Sequence, residues 1–155
     1  MSMKSFIVTS FLTFLYVLLM LRPEPGLCEN WLQYEMARDG SVLSYDKDSI
    51  ADRTRHIRQV WFKREVSDQG REIVMERMRA QGFLTEGYDK LSHHAILFVI
   101  NCKERKFKPL STIDYDTNGK ELFRNNSIDQ PHWEDVLSEN MMIYGLYEAV
   151  CEPTP

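Results

Sequence analysis

The sequence has few cysteines, no excess of positive charge and no catalytic motif. Only three of its 155 residues are cysteine, which excludes a densely cross-linked scaffold. The net charge of −4 argues against a general nucleic-acid-binding protein, because such proteins need excess Lys and Arg to neutralise phosphates. Nucleophile-elbow, phosphate-loop, dinucleotide-binding and zinc motifs are absent. We therefore predict a non-catalytic protein without cofactors. The alternative is an enzyme whose active site has no linear motif.

Long apolar runs are also absent, except at the N-terminus. There, Lys4 precedes sixteen mostly apolar residues from Phe6 to Leu21, fewer than the ~20 that a helix needs to cross a membrane. Helix-breaking residues follow, with small side chains at Gly26 and Cys28. This pattern predicts a secretory signal peptide, residues 1–28, cleaved after Cys28. The alternative is an uncleaved membrane anchor.

The cysteine at the cleavage site also permits a lipoprotein, in which acylated Cys28 would be the mature N-terminus. The residue before such a cysteine is usually small, and here it is Leu27. We therefore favour simple export of a single mature domain, residues 29–155. Either route places the domain in the periplasm, at the cell surface or in the medium.

Cleavage after Cys28 leaves two cysteines, Cys102 and Cys151. An oxidising compartment favours a disulfide between them. The alternative is a pair of free, buried thiols.

Hydrophobic periodicity and turn residues in the mature domain predict an antiparallel sheet of about six strands with two helices, in the α+β class. Asp-Gly and Asn-Gly pairs at 39–40 and 118–119 mark tight hairpin turns. Asn140 is predicted to cap the C-terminal helix. The predicted strands are 31–37, 41–45, 55–65, 93–102, 106–115 and 120–124, and the predicted helices are 71–81 and 141–150.

The best-defined element is the strand from His93 to Cys102. Its segment 95–100 is apolar at every position, which is typical of a central strand covered on both faces. Alternation places Ile96, Phe98, Ile100 and Cys102 on one face. If Cys102 bonds to Cys151, that face must look toward the C-terminal helix.

Two groups of residues suggest metal sites. Residues 114–119 match the first half of a calcium loop, but the twelfth position is Asn125 instead of a bidentate Glu. A hairpin turn explains these residues without a metal. His93 and His94 cannot chelate one ion together, because adjacent strand residues face opposite ways. We predict no metal site.

Basic residues cluster in two segments of the chain. If their strands are neighbours, they form a basic patch that attracts acidic proteins or sulfated glycans. The alternative is a set of solvated strand ends. Trp61 is a further candidate contact if its side chain is exposed, and a core residue if it is buried. The candidate patch comprises Arg55, Arg58, Lys63, Lys103, Arg105, Lys106 and Lys108.

From Trp31 to Cys151 the chain resembles the surface-adhesin protein E family. The resemblance rests on Trp31, residues 45–50, 60–63 and 100–106, Tyr115-Asp116 with Gly119, Trp133 and Cys151, in that order. It implies a curved antiparallel sheet whose C-terminal helix is tethered by a disulfide between Cys102 and Cys151. It also implies a bacterial envelope protein, from a family with a member that binds extracellular-matrix proteins.

Together these observations predict a non-catalytic, exported binding module that contacts a protein or polysaccharide through its sheet surface. The expected partner is not a nucleic acid, and the expected contact with membrane is limited to a lipid or an uncleaved anchor. The alternative is a periplasmic structural or assembly factor that binds another envelope component.

Overall fold

The computed structural model describes residues 30–126 and 132–152, and these form an antiparallel sheet with two helices. The predicted signal segment, residues 1–28, lies outside the described residues. The strands are β1 (Trp31–Met36), β2 (Val42–Asp46), β3 (Ala51–Thr54), β4 (Ile57–Glu65), β5 (Leu91–Asn101), β6 (Lys106–Asp116), β7 (Glu121–Asn126) and β8 (Glu134–Asp135). The helices are α1 (Asp68–Ala80) and α2 (Met141–Cys151).

The main path through the sheet runs β1-β2-β4-β5-β6-β7. The short strand β3 pairs with β4, and the two-residue strand β8 pairs with β6. Every pairing is antiparallel. The predicted α+β class, with a C-terminal helix and a disulfide between Cys102 and Cys151, is confirmed.

Most element boundaries differ from the sequence prediction by one to three residues, and that prediction lacks the short strands β3 and β8. Two of these differences have a clear physical reason. The predicted strand 55–65 begins at Ile57, because Arg55 and His56 form a turn that connects β3 to β4. No Gly, Pro or Asn marks that turn, so the sequence pattern does not reveal it. Helix α1 begins three residues before the predicted start. The Ser67 hydroxyl caps it by accepting a hydrogen bond of 2.9 Å from the Gly70 N–H.

Helix α2 covers one face of the sheet and closes the main core. Its side chains Ile143, Leu146 and Val150 are 1%, 0% and 1% exposed and pack against the strands. Phe98 and Ile100 of β5 belong to the same cluster, as the predicted alternation requires. The sheet residues of this cluster are Leu43, Val60, Phe62, Phe98, Ile100 and Phe107.

Helix α1 packs on a second, smaller cluster formed by Val66, Tyr88 and Leu91. Val74, Met75 and Met78 of the helix pack against this cluster. Neither helix that the structure describes is long and apolar enough to span a membrane.

An ion pair between Asp39 and Arg64 fixes the β1–β2 turn beside the start of α1. Burial acts to raise the pKa of Asp39, but hydrogen bonds from Ser41 and the nearby Arg64 guanidinium lower it below its ordinary value. Gly70 lets the helix approach this turn. A methyl group at position 70 would lie 2.7 Å from Asp39 Oδ2 and from Ser41 Oγ. Polar contacts and close packing therefore hold the β1–β2 turn against the start of α1.

Candidate functional site

The sheet has two unlike faces. Phe62 and Phe98 point into the core beneath α2, so alternation directs their neighbours Trp61, Lys63 and Ala95 to the opposite face. This opposite face, named the open face here, carries a depression that no residue of α1 or α2 lines. The lining side chains come from β1, β2, β4, β5 and β6 and from the β6–β7 turn. A binding partner can therefore approach this face without displacing either helix.

The depression has a volume of about 420 Å³, which falls within the range of small-molecule sites. Ala95 and Ile113 are paired across β5 and β6 and are 8% and 5% exposed, so they form its floor. Ala95 contributes only a methyl group at the centre, and the larger side chains around it form the sides of the depression. The lining residues are Trp31, Asp46, Trp61, Lys63, His93, Ala95, Ile113, Tyr115 and Gly119.

Aromatic rings form the walls of the depression. His93 and Tyr115 stack with their ring centroids 4.9 Å apart, one row along the sheet from Ala95. Trp31 and Trp61 lie on the other side. Trp61 is half-buried, so part of its ring packs on the sheet and part is accessible. Such rings combine apolar area with a polar N–H or O–H group, which suits contacts with amphipathic partners.

All three tryptophans of the chain lie on the open face. Trp31 pairs with Asp46, and both line the depression with Trp61. Trp133 lies beside Lys108, whose pairing with Val99 places it on the same face. Tryptophan is enriched at interfaces because it buries a large area with little loss of entropy. This shared location singles out the open face as an interaction surface.

Two lysines on this face contact tryptophan rings. Lys63 Nζ lies 4.6 Å from the Trp31 ring centroid and 2.8 Å from Glu65 Oε1. Lys108 Nζ lies 4.7 Å from the Trp133 ring centroid. Both distances are within the range of cation–π attraction. The open face therefore combines exposed aromatic area with positive charge.

The structure brings most of the predicted basic patch together. Arg55 in the β3–β4 turn and Lys103 and Arg105 in the β5–β6 turn lie at the same end of the sheet, where the Cys102 N–H donates to the His56 carbonyl at 2.8 Å. Lys106 and Lys108 begin the adjoining strand β6. Two members do not fit this group.

Lys63 is one exception, because it lies away from that end, in the depression. Arg58 is the other, because its guanidinium points under α2 and donates to the Val150 carbonyl and to Asp52. Arg105 lies over the Tyr147 ring at 5.0 Å, and Lys106 lies 3.5 Å from Asp135. Several of these cations therefore have internal partners, and the patch as a binding site stays a prediction.

The residues considered for metal binding have structural roles. Asp116 accepts hydrogen bonds of 2.8 Å from the Asn118 and Lys120 N–H groups and so closes the β6–β7 turn. The Lys120 bond is the chief cause that lowers the pKa of Asp116. In the part of the chain that the structure describes, no three His, Cys, Asp or Glu side chains are grouped to hold a metal ion.

The two adjacent histidines face opposite ways, as alternation predicts. His93 stacks on Tyr115 at the open face, whereas His94 Nδ1 lies 2.6 Å from Asp114 Oδ1 on the other side. The Tyr88 hydroxyl donates to Asp114 Oδ2 at 2.7 Å. Burial, followed by this hydrogen bond, raises the pKa of Tyr88. These contacts tie the second cluster to β6.

The arrangement defines a class of protein: a small disulfide-closed α+β domain with one helix-covered sheet face and one aromatic open face. The family model of surface-adhesin protein E matches residues 31–152. The chain belongs to the surface-adhesin protein E family, as the sequence resemblance predicted. This membership classes it as an adhesin-like surface protein.

A solved structure of one relative shares the fold. The selenomethionine form of Haemophilus influenzae protein E aligns with a TM-score of 0.50 and 12% identity, over 86% of this chain and 94% of that one. Crystal form II of the same protein aligns with a TM-score of 0.46 and 10% identity, over 77% and 87% of the two chains. No protein of curated function matches the sequence.

Proposed function

We propose that this chain is a non-catalytic, exported binding module of the bacterial cell envelope that contacts a protein or polysaccharide partner through the open face of its sheet. Membership in a family of surface adhesins supports the surface location and the binding role. The N-terminal segment 1–28, with its charged start and short apolar run, supports export by a cleaved signal peptide.

The observation that carries the proposal is the aromatic depression over Ala95, whose walls include Trp31 and Trp61. Binding energy at protein surfaces is concentrated in a few buried aromatic and Arg side chains. An accessible tryptophan beside a small floor residue can supply such an anchor. The opposite face cannot serve, because α2 fills it with its own apolar side chains.

The proposal predicts that Trp61→Leu abolishes most partner capture while the fold survives. Leucine keeps an apolar side chain on the sheet but removes the flat ring, so we expect at least a tenfold loss of binding, roughly 1.4 kcal/mol. The measurement is a pull-down with immobilised protein from matrix proteins and from envelope extracts, quantified by mass spectrometry.

Leu137→Ala is the matched control, since Leu137 is 50% exposed and does not line the depression. This variant should capture the same partner as the wild type. Equal capture by the Trp61→Leu protein, with an unchanged circular dichroism spectrum, would contradict the proposal that the partner binds at the open face. Failure of the wild type to retain any partner would remove the adhesin role.

A periplasmic structural or assembly factor is the competing function, and location separates the two. We propose surface exposure because the matching family is one of surface adhesins. Protease treatment of intact cells should then degrade the protein. Protection from protease in intact cells, with release by osmotic shock, would favour the periplasmic alternative.

A further inference from the structure

We infer that the partner of the open face is a linear anionic polysaccharide that crosses the sheet diagonally, from the depression to Trp133. This inference rests on the proposed function and adds the chemical class of the partner. Two Lys–Trp pairs carry it: the first is Lys63 with Trp31, and the second is Lys108 with Trp133.

The register of the sheet fixes the separation of these pairs. Lys63 lies opposite Ala95, and Lys108 lies opposite Val99, on the other side of β5. Four residues along β5 correspond to about 13 Å, and two strand spacings correspond to about 10 Å. The two lysines are therefore about 16 Å apart across the sheet. A single monosaccharide is too short to reach both, whereas an extended chain of sugars can do so.

The surface between the pairs is also suited to sugar rings. Trp61, Leu97 and Ser111 form the row that lies between the Ala95 row and the Val99 row. Trp61 offers part of its ring and Ser111 a hydroxyl, so the row is partly apolar and partly polar. The C–H face of a pyranose packs on an aromatic ring, and its hydroxyls exchange hydrogen bonds with neighbouring polar groups or water. The path is therefore aromatic at both ends and near its middle.

The lysines specify the charge of the chain. Each ammonium lies over an indole ring, so a carboxylate or sulfate that binds the lysine brings its own sugar ring to the edge of that tryptophan. At Lys63, whose side chain is 16% exposed, the anionic group competes with the Glu65 carboxylate at 2.8 Å, so Lys108 contributes more to the selection of charge. A polyanion without sugar rings would gain the charge contact but not the stacking. A neutral polysaccharide would gain the stacking alone. The geometry therefore selects a polymer that has both properties.

The test measures binding of four polymers to the purified, disulfide-bonded protein by isothermal titration calorimetry. Heparin supplies sulfated sugars, and hyaluronan supplies carboxylated sugars. Poly-L-glutamate supplies charge without sugar rings, and dextran supplies neutral sugar rings. We expect binding of heparin or hyaluronan and at least tenfold weaker binding of the other two polymers.

Variants locate the site on the protein. Lys108→Gln and Trp133→Leu should each weaken polysaccharide binding by about threefold or more. Lys90→Gln is the charge-matched control, since it removes one exposed lysine that neither lines the depression nor contacts a tryptophan ring in the two Lys–Trp pairs, and it should leave binding unchanged. Trp133 is 37% exposed and lies outside the main core, so its replacement should leave the fold intact.

Each other outcome overturns the inference. Equal affinity for poly-L-glutamate would show simple charge attraction, and equal affinity for dextran would show that the lysines do not contribute. No binding of heparin and hyaluronan would exclude the polysaccharide. If a protein is still captured in a Trp61-dependent way, the proposed function stands and only its polysaccharide partner is wrong.

Discussion

A variant with both bridging cysteines replaced, Cys102→Ser with Cys151→Ser, should lose about 4 kcal/mol of unfolding free energy. The bridge joins the end of β5 to the end of α2 across a sequence separation of 49 residues. Without the disulfide, the unfolded chain has more conformational entropy, because the loop between the two cysteines is no longer closed. The value of about 4 kcal/mol is the stabilisation that the chain-entropy model gives for a loop of about this length. The contacts of α2 with the sheet are retained, so the variant should fold in the same topology but unfold at a lower denaturant concentration.

The measurement is guanidinium unfolding of the oxidised wild type and the double variant, followed by tryptophan fluorescence. The wild type measured after reduction is the control, and it should match the variant because both lack the covalent bond. A loss below about 1 kcal/mol would show that the bridge adds little to a helix already held by its packing.

The Leu146→Ala variant should lose about 3 kcal/mol of unfolding free energy. Leu146 is 0% exposed and lies between α2 and the sheet in the main core. Truncation removes apolar contacts and leaves a cavity, and since leucine and alanine both favour helices, the helix itself contributes little to the change. Denaturant unfolding monitored by circular dichroism measures the loss.

Leu32→Ala is the matched control for this substitution. Leu32 is 38% exposed on β1, so the same truncation should cost less than about 1 kcal/mol. A loss at Leu146 that is no larger than the loss at Leu32 would contradict the placement of α2 on the core. The two variants together separate the packing of the helix from its covalent tether.

Much of the fold is predictable because the strongest sequence signals are local. The apolar run 95–100, read with strand alternation, orients β5 and places Cys102 on the side of α2. The Asp-Gly and Asn-Gly pairs mark turns that the structure contains, with Gly40 and Gly119 at positive φ of 80° and 77°. The turn at Arg55 and His56 is not predictable in this way, since neither residue is a typical turn former.

The candidate site is harder to predict because it depends on register across several strands. A bulge between Gln33 and Glu35 shifts the pairing of β1, and another bulge interrupts the β5–β6 pairing. The position of Trp133 depends on β8, a strand of two residues with no recognisable period. The strand sequence alone marks Trp61 as a candidate contact, but its location on one face with Trp31 and Trp133 follows only from the alignment of the strands.

The most direct test of the open face as the binding surface is a ¹H–¹⁵N spectrum of the protein with and without its captured partner. The chain has three tryptophans, and their three indole N–H groups all report on this face. We predict that the partner shifts or broadens these three signals and leaves the backbone amides of α2 unchanged. Unchanged indole signals with shifted α2 amides would place the binding surface on the other side of the molecule.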